Sequence, residues 1–317
     1  MASETAVGMK GWVVGVKEVT WGVNPGGTPR RIPFVSESLK AAIGVVEDES
    51  IRSDRGNDTP AQGNINPAGD INVVWSADAH GWLFWACIAG AVTVTGTSPY
   101  LHSFSEYINP DLPSYTLERG FTDVNQYFVV TGCRMNQVTF TVQPEQTVKG
   151  AVSVIGMNEI ASGTPINAAP TSITRRPLDS FSGSLNEFSI VLANATEATI
   201  RIMNNLGGVN VLFSQFKGAL LAARLKISGT LTAFFTNLTL YNRFRNFTES
   251  NVIMKMQDAN GRYIQIHVPH VRYTAGPPNI SGEGPLFIPM EYNAYTDTVS
   301  NNQLLCQVSN MQATINT

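Results

Sequence analysis

Charge is what this sequence has least of. Only 14% of its 317 residues are Asp, Glu, Lys or Arg, against about 25% in ordinary soluble domains. The formal net charge is -3. That argues against a strongly basic nucleic-acid grip, which needs an excess of Lys and Arg. Cysteine is equally scarce. Cys87, Cys133 and Cys306 are odd in number and far apart, which excludes both a disulfide framework and a CxxC metal knuckle. Buried free thiols are the expectation. The longest apolar run, Trp82 to Val92, is far short of the ~20 residues of a membrane-spanning helix. The first residues, Met-Ala-Ser-Glu-Thr-Ala, have neither a basic n-region nor an apolar h-region, so synthesis in the cytoplasm is expected.

Catalytic constellations are missing too. The chain has no GxSxG elbow, GxGxxG loop, P-loop, HExxH or EF-hand sequence. Four histidines occur, and His267 and His270 are the only close pair. On a strand, residues three apart point to opposite faces, so a shared metal is not expected. Gly282-Glu-Gly284-Pro285 reads as a turn before a strand at Leu286 to Met290. The pairs Arg30-Arg31, Arg175-Arg176 and Arg243/Arg245 are too short for a nucleic-acid site. These absences point to a protein that is not an enzyme and needs no cofactor and no metal.

Gly, Pro, Ser, Thr, Asn and Gln take the place of charge, and the apolar residues among them alternate. In Gln137 to Val142, the residues Val138, Phe140 and Val142 fall on one face and Gln137, Thr139 and Thr141 on the other. That is the signature of a strand with one dry and one wet face. Phe188 to Leu192, Thr199 to Met203, Val252 to Met256 and Tyr263 to Val268 repeat the pattern, and Asp258-Ala-Asn-Gly261 between the last two signals a hairpin. Two segments read as helices. Asp78 to Gly90, with Asp78 as N-cap, is apolar nearly all round and so should be buried. The second runs from about Asn237 to Asn246. Trp75, Trp82, Phe84 and Trp85 lie on this apolar framework and read as core rather than as a stacking surface for sugar or bases.

Each helix follows a strand that begins at a glycine. Gly69 to Ser76 aligns with Gly229 to Thr236 at a constant offset of 160, and Phe84 still matches Phe244. Downstream, Tyr127 to Arg134 parallels Tyr263 to Arg272 at an offset of about 137, which makes Ala91 to Ser114 an insert in the first copy. A duplicated strand–helix–hairpin unit is the economical explanation. It divides the chain into a first β domain over 1–165, a linker over 166–180 that shares the Pro- and Thr-rich composition of Gly163 to Pro177, and a second β domain over 181–317. One stretch stands apart. Glu47 to Asp70 is polar and acid-rich, with Glu47, Asp48, Glu49, Asp54 and Asp58 interspersed with Arg52 and Arg55. It reads as a long loop, either a solvated hairpin tip or a segment that orders against a neighbouring subunit.

Several segments, in order, resemble the tail tube (major tail) proteins of long-tailed, non-contractile bacteriophages, the siphophages. They are Pro113 to Phe121, Tyr127 to Asn136, Val148 to Gly156, Ser189 to Leu192 with Asn204-Asn205-Leu206, Ser228-Gly229-Thr-Leu, Pro269 to Tyr273, and Ser281 through Ala294. The resemblance implies a mainly β fold of two tandem β-sandwich or partial-barrel domains, each flanked by one helix. It implies rings that stack into a hollow tube for double-stranded DNA, with three two-domain chains closing a pseudo-hexamer in preference to six. The implied partners are further copies, a tape-measure protein in the lumen, and terminator and distal tail proteins at the ends. No membrane is implied, and the location is the virion tail. On this reading Gln137, Thr139 and Thr141 line the lumen, where uncharged or acidic walls let DNA slide. The residues Glu47, Asp48, Glu49, Arg52, Asp54, Arg55 and Asp58 contact the next ring. The alternatives are another ring-forming tail component such as a terminator, or a carbohydrate-binding β-sandwich of a virion.

Overall fold

The computed structural model describes residues 5–106, 109–188, 190–192, 194–276, 278, 280, 283–296 and 302–315. It is mainly β. The first half begins with β1 (Gly11–Lys17), β2 (Arg30–Arg31), β3 (Ser36–Glu37), β4 (Lys40–Val46) and β5 (Ala61–Val74), followed by helix α1 (Ala77–Ile88). A small hairpin, β6 (Thr93–Thr95) and β7 (Tyr100–Ser105), comes next. Then follow β8 (Tyr115–Phe121), the long β9 (Gln126–Val142), β10 (Lys149–Ile155) and β11 (Asn158–Ser162). The second half comprises β12 (Asp179–Glu187), β13 (Ile190–Val191), β14 (Ala195–Met203), β15 (Gly207–Asn210), β16 (Lys217–Leu221) and β17 (Lys226–Phe234). Helix α2 (Thr239–Arg245), β18 (Ser250–Gln257), β19 (Tyr263–Ala275), β20 (Phe287–Ala294) and β21 (Leu305–Asn310) complete it.

The same connections occur twice. In the first half β5 leads into α1, a hairpin β8–β9 follows, and β10 returns to lie between β5 and β9. β11 then pairs with the first half of β9, and β1 with β8. In the second half β17 leads into α2, the hairpin is β18–β19, and β20 lies between β17 and β19. β21 pairs with the first half of β19, and β12 with β18. The halves join edge to edge where β14 pairs with the second half of β9, from Ala198 opposite Val142 to Met203 opposite Gln137. One sheet therefore runs β4–β5–β10–β9–β14–β17–β20–β19 across both halves.

Alternation along these strands builds the core. Ile71, Val73, Val138, Phe140, Val152, Ile200, Ile202, Leu231, Ile288 and Tyr292 are all buried on one face. Trp75 stacks on Phe140 at 4.3 Å and donates its Nε1–H to the Thr139 carbonyl at 3.0 Å. Every residue of α1 is buried, as an all-round apolar helix requires, and the helix packs against β9, β19 and β21. Its start differs from the sequence expectation. Ser76 occupies the N-cap position, and Asp78 lies inside the helix. There Asp78 forms an ion pair with Arg262 and accepts the backbone N–H of Met311 at 2.8 Å. Long-range charge pairing thus claims the side chain that local capping would have used.

Other boundaries shift as well. The polar loop is shorter than Glu47 to Asp70, because residues 61–70 form the first part of β5. Gly63, Pro67 and Gly69 hide the strand periodicity there. Gly69 has a steric reason, since a Cβ on it would sit 2.4 Å from Leu39 Cα. Gly69→Ala should therefore cost about 1–3 kcal/mol by overpacking, seen as a lower urea midpoint; an unchanged midpoint would refute that role. In Phe188 to Leu192 the strand is confined to Ile190–Val191, with Phe188 in the left-handed region at φ 50 and Ser189 outside the described residues. The insert Ala91 to Ser114 holds the β6–β7 hairpin, and β7 pairs with β21 of the second half. The expected turn at Gly282 to Pro285 lies in part outside the described residues, as Gly282 is not among them, and the strand after it is Phe287–Ala294.

Candidate functional site

The wet face of the shared sheet is a polar surface that the strand pattern creates. Gln137, Thr139 and Thr141 lie on it, half-buried between β10 and β14. Neighbours on the same face are Asp70 and Asn72 of β5, Lys149 and Ser153 of β10, Thr199 and Arg201 of β14, Ser228 and Thr230 of β17, and Glu291 and Asn293 of β20. The face carries charges of both signs beside its hydroxyls and amides. Lys40, Lys149, Arg201 and Lys226 alternate with Asp70, Glu197 and Glu291 along its rows. The polar groups are engaged with one another. Arg201 donates to Gln137 at 2.7 Å, Lys149 to Gln146 at 2.9 Å, and Gln143 to Glu197 at 3.2 Å. The Thr139 hydroxyl accepts the Ala151 N–H at 2.9 Å. The face thus combines short hydroxyls with charges of both signs, of which Arg201, Lys149 and Glu197 are held by glutamines.

The second surface is the pair of arms that leave this sheet. The β4–β5 arm carries loop 47–60, in which Glu47, Asp48, Glu49, Asp54 and Arg55 are fully exposed and Asp58 is half-buried. The loop's contacts are its own. Arg52 donates to Asp54 at 2.9 Å and pairs with Asp58, and the Ser50 hydroxyl donates to Asp48 at 2.5 Å. Arg52 and Ser50 hold Asp54 and Asp48 below the usual carboxylate range. Within the chain, Arg52 organises the loop. The β15–β16 hairpin forms the corresponding arm of the second half. It lies beside the first, with the Ile65 N–H donating to the Gln215 carbonyl at 2.9 Å. Its tip bears Leu212 and Phe213 in full exposure.

The third surface is the open sheet edge. Among the described residues, β4 pairs only with β5. At the far end, residues 272–275 of β19 have β20 on one side, while β18 reaches only as far as Val271. Exposed apolar side chains accompany these edges: Ile43, Val45 and Val46 on β4, and Leu238 and Phe247 around α2. A paired edge is the usual fate of such a strand. Unlike α1, α2 has no buried residue.

Several titratable groups have structural partners. His270 Nδ1 lies 2.8 Å from Glu249, and no group of three or more His, Cys, Asp or Glu among the described residues could hold a metal ion. Cys87, Cys133 and Cys306 are buried and free. His80 accepts the Ser76 N–H on Nδ1 at 3.1 Å and donates from Nε2 to the Pro33 carbonyl at 2.8 Å. Burial lowers its pKa from 6.5 to about 4. The unfolded chain therefore takes up a proton between these values that the folded chain refuses, and stability falls as pH drops through that window. The loss attributable to His80 by pH 5 is about 2 kcal/mol. Comparing urea unfolding at pH 7 and pH 5 checks it: His80→Gln should remove that share of the pH dependence, and an undiminished slope would refute it.

No helix of the described residues is long and apolar enough to cross a membrane. A sequence model of the family described as phage tail tube protein matches residues 8–294 of this chain. No curated protein matches it.

Proposed function

The chain belongs to the phage tail tube protein family, and on that premise we propose that three copies close into a ring and that the rings stack into the hollow tail tube. Family membership makes it a structural component of the virion tail. The single observation that carries the ring is the doubled connectivity, in which the second half adds its β14 to β9 of the first and leaves one open edge at each end of the shared sheet. Residues 1–165 and 181–317 then act as two tail-tube domains around linker 166–180. A chain that already contains one domain-to-domain seam needs only three copies for six domains. Contacts that repeat head to tail close when the rotation allows it, and a closed barrel leaves no sheet edge.

In that ring the wet face bearing Gln137, Thr139 and Thr141 lines the lumen, and the apolar face packs outward beneath the helices. Double-stranded DNA passes without specific contacts, and a tape-measure protein fills the lumen beforehand. The arms at 47–60 and 207–221 reach the adjacent ring, where Glu47, Asp48, Glu49, Asp54, Arg55 and Asp58 present charge and Leu212 and Phe213 present apolar surface. Terminator and distal tail proteins meet the two ends of the stack. A non-contractile tail and synthesis in the host cytoplasm complete the reading. Electron microscopy of the purified chain at rising concentration tests it: hollow tubes are expected, and single rings that never stack would favour a terminator-like role instead.

A further inference from the structure

The seam inside the chain specifies the seam between chains. It is built from β14 on β9, and each of those strands has a counterpart in the other half. β14 pairs with β17 so that Ala198, Arg201 and Met203 face Leu231, Ser228 and Lys226. β3 and β4 pair with β5 so that Glu37, Lys40 and Ala42 face Ile71, Ala68 and Asn66. With Gly69 aligned on Gly229, Glu37 takes the place of Ala198, Lys40 that of Arg201, and Ala42 that of Met203. On the receiving side, Ile155 faces Ala68 and Arg134 in the first half, and Asn293 faces Ser228 and Arg272 in the second. Arg272 therefore takes the place of Arg134, Tyr273 that of Met135, and, past a bulge that both strands share, Ala275 that of Gln137. The β14 counterpart and the β9 counterpart are the two edges that stand open among the described residues.

We propose that a second copy of this chain lays its β3–β4 edge antiparallel along the open stretch of β19, with Ala42 opposite Ala275 and Ala41 opposite Gly276. This rests on the ring reading above and names the residues that close it. A contact beside the strands supports the same docking. Next to Met203, the Asn204 side chain plugs the internal seam by donating to the carbonyls of Cys87, at 2.8 Å, and Met135, at 2.9 Å. The counterpart of Asn204 is Ile43, and those of Cys87 and Met135 are Phe247 and Tyr273. Ile43 is 58% exposed and Phe247 54% exposed, and the Arg272 guanidinium lies 4.6 Å over the Phe247 ring. The apolar Ile43 covers that ring across the seam, an apolar version of the polar plug. The burial of α1 follows the same logic. β19 and β21 of the second half cover α1, while α2 awaits the corresponding strands of the neighbour.

Cysteine cross-linking tests the register. The double variant Ala42→Cys/Ala275→Cys is oxidised at concentrations that give tubes and run on a non-reducing gel. The three native cysteines are buried. Linked dimers and trimers are expected from the double variant, linked dimers alone from an equimolar mixture of the two single variants, and none from either single variant. Gln137→Cys/Met203→Cys serves as the internal control, because the same register joins those positions within one chain; it should close without gain in mass. Tubes that form without any 42–275 link, while the control closes, would overturn the seam and leave the ring reading standing. Chains that stay monomeric at every concentration would overturn the ring reading, and the seam with it.

Discussion

Replacing residues 48–59 with a short turn should leave folded rings that no longer stack. Loop 47–60 makes its hydrogen bonds and ion pairs internally, through Arg52, Asp54, Asp58, Asp48 and Ser50. Its removal therefore takes nothing from the core, and shortening a surface loop changes closure entropy by well under about 1 kcal/mol. If the loop contacts the adjacent ring, what disappears is axial register. The cut must stop before β5. Ala61 pairs with Val46, and the Ile65 N–H donates to the Gln215 carbonyl at 2.9 Å, so a deletion running to residue 66 would damage the sheet and the second arm together. Circular dichroism should give an unchanged thermal midpoint, and microscopy should show isolated rings. Tubes of normal length from this variant would remove the loop from the stacking interface.

Arg262→Leu should destabilise the fold by about 3–5 kcal/mol, the usual cost of leaving a buried charge without its partner. The guanidinium pairs with Asp258 at 2.7 Å and with Asp78. Both carboxylates are only 4% exposed. Asp258 sits in the turn between β18 and β19, while Asp78 begins α1, so one cation ties the second half to the helix of the first. Without it, two buried carboxylates face each other uncompensated. Urea unfolding at neutral pH checks the loss, and a change below about 1 kcal/mol would show the pair to be dispensable in the way exposed pairs are. The variant should also assemble poorly, since the orientation of the two halves sets the curvature of any ring.

Much of this architecture was legible in residue order because it depends on short-range periodicity. The alternation at 137–142, the turn at Asp258 to Gly261 and the all-round apolar helix after Trp75 each follow from local pattern, and each appears where the pattern places it. The repeat was visible through its glycines, because Gly69 and Gly229 stand where a neighbouring strand passes too close for a Cβ. Features that depend on distant partners were not legible. Asp78 looks like a cap until Arg262, 184 residues away, is seen beside it. The start of β5 looks like loop because its close contacts demand glycine. The exposed tip at Leu212–Phe213 looks like core, because an apolar pair carries no mark of which side of a surface it will lie on. The candidate surfaces share this limit, since an edge or an arm is defined by what does not pair with it.

Two-dimensional averaging of end-on rings, from tubes of the purified chain, tests the central claim most directly. The account predicts hollow rings whose six lobes alternate in shape, so that three-fold averaging preserves detail and six-fold averaging blurs it. The insert at Ala91 to Ser114, present in one half alone, supplies the alternation. Rings with six identical chains, and so twelve domains, would contradict the claim that each chain brings its own internal seam to the ring.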